Sequence, residues 1–246
     1  MQSYRYVDMH CHILPAVDDG SQSMEMSLNM ARIAAGSNIG TIIVTPHNYA
    51  AHRSVSPDGI RRRVRELQQA CDEEGIGIVF YPGNELYYDS SLPERLYKGE
   101  ALTLADTEYC LVEFNPSDPY SYITEGLRAL IYEGYRPILA HCERYMCLVE
   151  DSSRAEEIHR SGVLLQCNAE MVPAKLFQKI PAFVNGLLKK ELVSFIATDA
   201  HRDSGGRIPD LTKAAAYLNK KYDADYVRDL LGGNAENLLL AGNDYF

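Results

Sequence analysis

The chain has 246 residues and a formal net charge of −10, from 34 acidic and 24 basic side chains. This length is typical of one α/β barrel, so we expect a single domain over residues 1–246. The acidic surface disfavours bulk binding to nucleic acid, and neither a long apolar run nor a secretory leader pattern is visible, so we expect a cytoplasmic protein without membrane insertion.

Short β-rich runs alternate with helix-like stretches along the whole chain. In chain order we predict strand 5–9, helix 24–35, strand 41–45, helix 57–74, strand 77–81, strand 109–114, helix 122–132, strand 137–140, helix 155–161, strand 163–168, helix 175–189, strand 193–198 and helix 210–221. Ser56 and Pro57 suit a helix start, and Gly75 suits a helix end. The alternation is typical of βαβ units, and seven strands without a GxGxxG fingerprint favour a closed parallel barrel over an open dinucleotide-binding sheet.

Metal-capable side chains follow six of the seven predicted strands. They are His10 and His12, His47, Glu85, Glu113, His141, and Asp199 with His201. A single residue of this kind is more often a cap or a loop residue, but in such barrels reactive groups collect where the strands end. Five of the seven histidines occupy these positions, whereas His52 and His159 do not. The repetition therefore predicts one shared site.

The mixture of side chains indicates which ions that site would bind. Imidazole with carboxylate suits Mn²⁺, Fe²⁺ or Zn²⁺ better than an all-oxygen site would. Strand periodicity turns His10 and His12 the same way, so both can reach one ion, and Glu85 has two oxygens with which to bridge two ions. Paired ions both activate water and neutralise phosphoryl oxygens, which predicts hydrolysis of a phosphate ester.

These motifs resemble the PHP (polymerase and histidinol phosphatase) superfamily, and more narrowly the CpsB/YwqE-type bacterial protein-tyrosine phosphatases. The resemblance extends to about residue 207 and is carried by DMHCHIL at 8–14, VDDG at 17–20, TPH at 45–47, GNE at 83–85, LVEF at 111–114, AHCERY at 140–145 and TDAH at 198–201. The VDDG turn followed later by HxERY is what resembles the tyrosine-phosphatase branch.

The resemblance implies a distorted (β/α)7 TIM-like barrel with three divalent ions, most often Mn²⁺, with Fe²⁺, Zn²⁺ or Mg²⁺ as alternatives. It implies His10, His12, Glu85 and Asp199 at one ion, Glu85, Glu113 and His141 at the second, and Asp19, His47 and His201 at the third. Arg144 and Arg207 match positions that hold the phosphate, and His201 or Asp199 is expected to assist proton transfer. Asp18 remains an alternative to Asp19 as ligand, and otherwise we expect Asp8 and Asp18 to orient imidazoles or fix the turn.

The implied activity is removal of phosphate from phosphotyrosine by direct attack of metal-bound hydroxide, without a covalent enzyme intermediate. The expected partner is a phosphotyrosine protein, in particular a bacterial tyrosine autokinase that controls capsule or exopolysaccharide synthesis. The sequence leaves open whether the chain forms a homo-oligomer. Tyr87 and Tyr88 are candidates for stacking on the substrate, although most of the 17 tyrosines are expected to pack in the fold.

Four alternative functions fit the sequence less well than this one. Histidinol-phosphate phosphatase, or another small-molecule phosphoesterase of the superfamily, shares the chemistry, whereas a nuclease is disfavoured by the acidic charge. A non-enzymatic metal-binding module is disfavoured by the complete ligand set. A cysteine-dependent phosphatase would need Arg seven residues after His141 in the HC(x)5R motif, but Leu148 stands there. Most of the cysteines lie inside apolar runs and are expected to be small buried apolar residues, and Cys11 is interpreted as a packing variant.

Overall fold

The computed structural model describes residues 4–50, 55–173 and 178–242. Its strands are β1 (Tyr6–Cys11), β2 (Ile39–Val44), β3 (His47–Asn48), β4 (Val79–Tyr81), β5 (Glu85–Tyr87), β6 (Tyr109–Glu113), β7 (Arg136–Leu139), β8 (Leu164–Asn168) and β9 (Phe195–Ala197). Its α-helices are α1 (Met24–Gly36), α2 (Pro57–Glu73), α3 (Leu92–Tyr97), α4 (Tyr120–Tyr132), α5 (Met146–Glu150), α6 (Ser153–Arg160), α7 (Lys179–Lys189), α8 (Thr212–Lys221), α9 (Ala224–Arg228) and α10 (Asn234–Gly242).

The parallel strands curl into seven barrel positions. One sheet has the order β1-β2-β4 and the other has the order β3-β5-β6-β7-β8-β9. Pro46 separates β2 from β3, and Pro82 separates β4 from β5, because proline lacks the N–H that a ladder needs. Each of these pairs therefore fills one barrel position. The curl ends where Cys11 meets Ala200 in a parallel bridge, and the predicted (β/α)7 barrel-like fold is confirmed.

The interior of the curl changes from apolar to polar along the strands. Its apolar part includes Leu111 on β6 and Ala197 on β9, and Ala235 and Leu238 of α10 pack against it. Two residues further along the same faces are Glu113 and Asp199, because side chains alternate along a strand. The polar groups therefore gather at the carboxyl ends of the strands, a region that we call the mouth.

Two strands reach the mouth through an irregularity. Val7 and Met9 of β1 belong to the interior apolar cluster, so strict alternation would turn His10 away from it. The pairing of β1 with β2 shifts register between Asp8 and Cys11, which brings His10 round to the interior. In β7 the same change comes from His141, whose φ of 31° places it in the left-handed region.

Local signals explain several helix ends. The Ser23 hydroxyl accepts a hydrogen bond from Met26 N at the start of α1, and Ser56 caps α2 ahead of Pro57. Gly75 follows α2 with a φ of 69°, which a glycine adopts without strain. The short elements α3, α5, α9, β3 and β5, together with α10, were not predicted, and residues 175–177 of the predicted helix 175–189 lie outside the described residues. None of the helices described here is long and apolar enough to cross a bilayer.

Candidate metal centre

Strand pairing places the predicted metal-capable residues side by side. His47 of β3 pairs in register with Glu85 of β5, and Tyr87 of β5 pairs with Glu113 of β6. Hydrogen bonds from His12 N to Ala200 O and from Asp199 N to His10 O tie the loop after β9 to β1. Residues from six barrel positions thus meet at the mouth.

Glu85 lies at the centre of this group and is 1% exposed. Its Oε2 lies 3.2 Å from His10 Nε2, 3.1 Å from His12 Nε2 and 3.1 Å from His47 Nδ1. Its Oε1 lies 2.8 Å from His141 Nε2. Four imidazoles from three barrel positions therefore converge on one carboxylate.

Asp199 connects this group to two arginines. Its Oδ1 lies 3.5 Å from His10 Nε2 and accepts a hydrogen bond from Arg207 Nη2 at 2.8 Å. Its Oδ2 accepts hydrogen bonds from Arg144 Nη2 at 2.5 Å and from Asn168 Nδ2 at 2.9 Å. Both guanidinium groups are partly exposed, so two cations border the mouth next to the buried carboxylate.

Asp19 lies on the outer side of the mouth. Its Oδ1 is 3.4 Å from His47 Nε2 and 3.3 Å from His201 Nε2. The neighbouring Asp18 accepts a hydrogen bond from His12 Nδ1 at 2.7 Å and binds the backbone N–H of His47. In this structure Asp18 therefore orients an imidazole, while Asp19 faces two imidazole nitrogens.

Gly20 explains how the turn carrying these two aspartates fits. A Cβ at this position would lie 2.1 Å from His12 O, so only glycine allows the turn to approach the strand end so closely. Gly20 N donates to Asp18 Oδ1 and Ser21 N donates to His12 O, which fixes the turn against β1. The VDDG sequence is thus a close-approach turn.

Three residues of the mouth adopt left-handed backbone conformations without being glycine. They are His141 with φ 31°, Asp199 with φ 50° and Arg207 with φ 57°. Such conformations are costly for residues with a Cβ and persist where surrounding contacts enforce them. Here they turn His141 and Asp199 into the mouth immediately after β7 and β9.

The charges of the mouth depend strongly on one another. Burial raises the pKa of Glu85, but His10, His12 and His141 together hold it well below its usual value. Hydrogen bonds with His201 and His47 lower the pKa of Asp19. The mouth therefore keeps its carboxylates ionised.

The imidazoles respond in the opposite direction. Burial lowers the pKa of His12, yet Asp18 and Glu85 outweigh burial and raise that pKa from 6.5 to about 9. In the same way Glu113 and Glu85 offset the burial of His141 and raise its pKa to about 9. The protons on these rings balance the negative charge of the carboxylates. Bound divalent cations would neutralise the same charge.

The arrangement fits divalent cations. Glu85 Oε2 is buried without a hydrogen-bond partner although three imidazole nitrogens surround it, and His10 Nε2 lies only 3.3 Å from His12 Nε2. Of the groups of described residues whose ligand atoms lie within 4.8 Å of one another, three lie at the mouth: His10, His12, Glu85 and Asp199; His12, Asp19, His47 and His201; and His47, Glu85 and Glu113. Mixed nitrogen and oxygen donors of this kind suit Mn²⁺, Fe²⁺ or Zn²⁺.

These groups resemble the predicted ligand sets with one addition and one exchange, since His47 stands in place of the predicted His141 beside Glu85 and Glu113. The first predicted set lies together, and His12 joins the predicted set of Asp19, His47 and His201. His47 Nδ1 also lies 3.0 Å from Glu113, whereas His141 Nε2 is 3.7 Å from that carboxylate. The assignment of individual ligands to individual ions remains a prediction.

Other predicted residues have different surroundings. Within the part of the chain that the structure describes, Asp8 bonds to Thr198 N and Oγ1 and to the backbone N–H of His10 rather than to an imidazole, so it anchors the segment after β9. Tyr88 is buried against Phe114 and Tyr122, so it packs in the fold, while Tyr87 faces Tyr49 with ring centroids 5.3 Å apart.

The cysteines and His159 are not members of the histidine and carboxylate groups at the mouth. Cys11 and Cys142 are fully buried, as expected for apolar packing, and Cys142 Sγ lies 3.4 Å from Cys167 Sγ. His159 lies on α6, and His52 lies outside the described residues.

Sequence reasoning missed the polar residues of β8. Gln166 and Asn168 are buried and contact His10, the backbone of His141, and Asp199. Their signal was present, since two amides at period-two spacing interrupt an otherwise apolar strand. Neither residue is a typical metal ligand, and a search for ligands alone overlooks them.

Comparison with known proteins identifies similar chains. The family model described as "Capsular polysaccharide synthesis, CpsB/CapC" matches residues 6–240. The tyrosine-protein phosphatase YwqE of Bacillus subtilis is 31% identical over 95% of this chain and 91% of its own length. The tyrosine-protein phosphatase CpsB of Streptococcus pneumoniae is 29% identical over 95% of this chain and 98% of its own length.

A solved structure shares the whole fold. It comes from a crystallographic study of YwqE from Bacillus subtilis and CpsB from Streptococcus pneumoniae, described as unique metal-dependent tyrosine phosphatases. The superposition has a TM-score of 0.87 at 31% identity and covers 96% of this chain and 94% of the other.

Proposed function

The chain belongs to the CpsB/CapC family of capsular polysaccharide synthesis, and from that premise we propose how its mouth hydrolyses phosphotyrosine. The chain is a metal-dependent tyrosine-protein phosphatase, as its curated relatives are. The proposal concerns the ions, the residues that bind them and the substrate.

The convergence on Glu85 carries the proposal. One buried carboxylate faces four imidazole nitrogens from three barrel positions at 2.8–3.2 Å, and one of its oxygens lacks a hydrogen-bond partner. A structural ion pair needs neither so many imidazoles nor an unpartnered oxygen in the interior. We assign Glu85 as a bridge between ions.

Three divalent ions, Mn²⁺ foremost, account for the remaining ligands. The first ion would be held by His10, His12, Glu85 and Asp199. The second would be held by Glu85, Glu113 and His141, and the third by Asp19, His47 and His201. Bound ions would activate water and neutralise charge on the phosphoryl oxygens.

The arginines have a separate task. Arg144 donates to Asp199 Oδ2 and Arg207 donates to Asp199 Oδ1. Each side chain remains partly exposed at the mouth. Planar guanidinium groups bind phosphate oxygens in pairs of hydrogen bonds. We assign both residues to binding and orienting the phosphoryl group.

Proton transfer is assigned to His201 rather than Asp199. Both oxygens of Asp199 accept hydrogen bonds from cations or amides, and His10, His12 and Arg144 lower its pKa although burial opposes them. Burial lowers the pKa of His201, which favours its neutral form. Its Nε2 would then either accept a proton or bind the third ion, and the two roles compete for one lone pair. Its Nδ1 donates to Asp199 O at 2.9 Å, which directs Nε2 outward.

The proposed substrate is a phosphotyrosine segment of a bacterial tyrosine autokinase that controls capsule or exopolysaccharide synthesis. The names of the family and its relatives, which join tyrosine phosphatase activity to capsule synthesis, support this choice. The autokinase, a homo-oligomeric state and a cytoplasmic location remain predictions.

A side-by-side assay tests the proposal. The metal-depleted protein, reconstituted with Mn²⁺, is given a phosphotyrosine peptide, histidinol phosphate and a nucleotide at equal concentrations. We expect Mn²⁺-dependent release of phosphate from the peptide at the highest kcat/KM. Preference for histidinol phosphate would move the chain to the small-molecule branch, and activity that persists in EDTA would overturn the metal-dependent mechanism.

A further inference from the structure

Two buried amides connect three separate parts of the metal centre. Gln166 and Asn168 lie on the interior face of β8 and are no more than 1% exposed. They are the polar residues that β8 supplies to the mouth, in place of the His, Asp or Glu of the other strands. Their hydrogen bonds form one continuous chain.

The first half of this chain fixes the orientation of Gln166. The backbone N–H of His141 donates to Gln166 Oε1 at 2.7 Å, and a backbone N–H can donate a hydrogen bond but cannot accept one. Oε1 is therefore the oxygen, and His10 Nδ1, at 3.1 Å from it, must carry a proton. This leaves the lone pair of His10 on Nε2, which faces Glu85 and Asp199.

The second half follows from the first. Gln166 Nε2 donates to Asn168 Oδ1 at 2.9 Å, so Asn168 Nδ2 is the nitrogen that donates to Asp199 Oδ2 at 2.9 Å. The backbone N–H of Asn168 also donates to Glu143 Oε1 at 3.0 Å. Every donor in the chain has one acceptor, and the direction is the same throughout.

We propose that Gln166 and Asn168 are positioning residues of the metal centre, which set the tautomer of His10 and hold Asp199 for the same ion. The inference rests on the proposed function because it assigns both His10 and Asp199 to one ion. Neither amide touches that ion or the substrate. Each acts through the ligand that it holds.

The choice of an amide at position 166 has a physical reason. His12 uses a carboxylate, Asp18, as the partner of its Nδ1, and His201 uses a backbone carbonyl. Only an amide accepts two hydrogen bonds at one atom and donates at the other without adding charge. A further carboxylate beside Glu85 and Asp199 would increase repulsion in a buried site.

The test compares two changes at Gln166 with a matched control. Gln166→Met removes both ends of the amide at nearly constant volume. Gln166→Glu keeps the acceptor for His10 but sets an oxygen against Asn168 Oδ1. Asn185→Leu is the control, because Asn185 is also a buried amide, bonded to Val172 O, Pro181 O and the hydroxyl of Tyr217 away from the mouth.

Metal binding is the main measurement. Mn²⁺ affinity by equilibrium dialysis and the visible absorption of bound Co²⁺ are recorded for each purified protein, with kcat and KM on a phosphotyrosine peptide. For Gln166→Met we expect Mn²⁺ affinity to fall about 10- to 100-fold, as for other partners of metal-bound histidines, with an altered Co²⁺ spectrum. For Gln166→Glu we expect a shifted pH profile of kcat/KM, and for Asn185→Leu we expect parental metal binding.

The other outcomes count against the proposal. Parental Mn²⁺ affinity and an unchanged Co²⁺ spectrum in both Gln166 variants would overturn it, as would an equal loss in Asn185→Leu. If both Gln166 variants fail to fold while Asn185→Leu folds, Gln166 is a folding determinant and the positioning role is rejected. A parent protein that binds Mn²⁺ but does not hydrolyse phosphotyrosine would instead refute the proposed function, and the binding measurements would still decide this inference.

Discussion

The metal centre has a buried wall and an exposed rim, and the two are held by different means. Glu85 and Asp199 in the wall are each 1% exposed, whereas the side chain of Asp19 in the rim is 64% exposed. The wall groups come from strands or directly follow them; Glu85 contacts four imidazoles, and Asp199 accepts a hydrogen bond from the buried amide of Asn168. Asp19 depends on a turn, which Arg202 joins to the loop after β9 by hydrogen bonds to Asp19 O and His201 O.

This contrast indicates which ligands contribute most to the free energy of the site. A buried carboxylate loses its hydration and must be compensated by a cation, by protons or by hydrogen bonds. An exposed carboxylate keeps water as an alternative partner, so its loss is tolerated better. Changes in the wall are therefore expected to have larger effects than changes in the rim.

Glu85→Gln is expected to have the largest effect. An amide in place of the proposed bridging carboxylate removes a charge that faces four imidazoles, so we expect kcat/KM on a phosphotyrosine peptide to fall more than about 1,000-fold. Phosphate release with saturating Mn²⁺ measures this loss. Glu94→Gln on α3, an exposed residue paired with Lys98, is the matched control and should keep full activity. A comparable loss in both proteins would contradict the central role of the wall.

Arg144→Ala is expected to follow. Removing a guanidinium that binds Asp199 Oδ2 and is assigned to the phosphoryl group should lower kcat/KM about 100-fold. Arg144→Lys should recover little of the loss, because an ammonium lacks the planar pair of donors. Steady-state kinetics with the peptide measure both variants, and unchanged kcat/KM would exclude Arg144 from the mechanism.

Asp19→Asn tests the rim. We expect kcat/KM to fall about tenfold at limiting Mn²⁺ and to recover when Mn²⁺ is raised, because a weakened exposed site refills. Metal counting after dialysis should show one ion fewer than in the parent. Asp18→Asn, which keeps an oxygen toward His12 Nδ1, should retain the full number. The reverse pattern would make Asp18 the ligand.

The smallest effect concerns the metal-free protein and pH. The folded pKa of His12 and of His141 is about 9, above the ordinary 6.5, so the stability from their protonation is present below pH 6.5 and is lost as pH rises through about 9. Urea unfolding in EDTA should therefore show a declining free energy of unfolding across that interval. Mn²⁺ affinity should rise over the same interval, because ligation requires neutral imidazoles. If neither the free energy of unfolding nor the Mn²⁺ affinity changed over this interval, protonation of His12 and His141 would not be coupled to stability or to metal binding.

The sequence predicted the parts of the fold and site that depend on local pattern. The βαβ alternation, the capped start of α2 and the positions of His47 and Glu113 near strand ends all follow from short-range rules. The strands β3 and β5 were missed because two or three residues after a proline carry no periodicity. The amides of β8 were missed because their role depends on contacts with His10 and Asp199, which are distant in the chain.

The orientations of some side chains were also not predictable from the sequence. Alternation alone would turn His10 away from Met9, and only the register shift in β1 reverses it. Tyr87 and Tyr88 are adjacent and chemically identical, yet one packs on Phe114 and the other on Tyr49. Both outcomes depend on tertiary packing rather than on residue type.

The left-handed backbone conformations of His141, Asp199 and Arg207 cost folding stability, while their side chains are the ones proposed to serve activity. Glycine would relax each of these positions, and a screen that rewards heat resistance alone would accept it there. Those survivors would lack an imidazole, a carboxylate or a guanidinium at the mouth. Engineering of this protein for durability should therefore hold these three residues constant and seek its gains among the helices around the barrel.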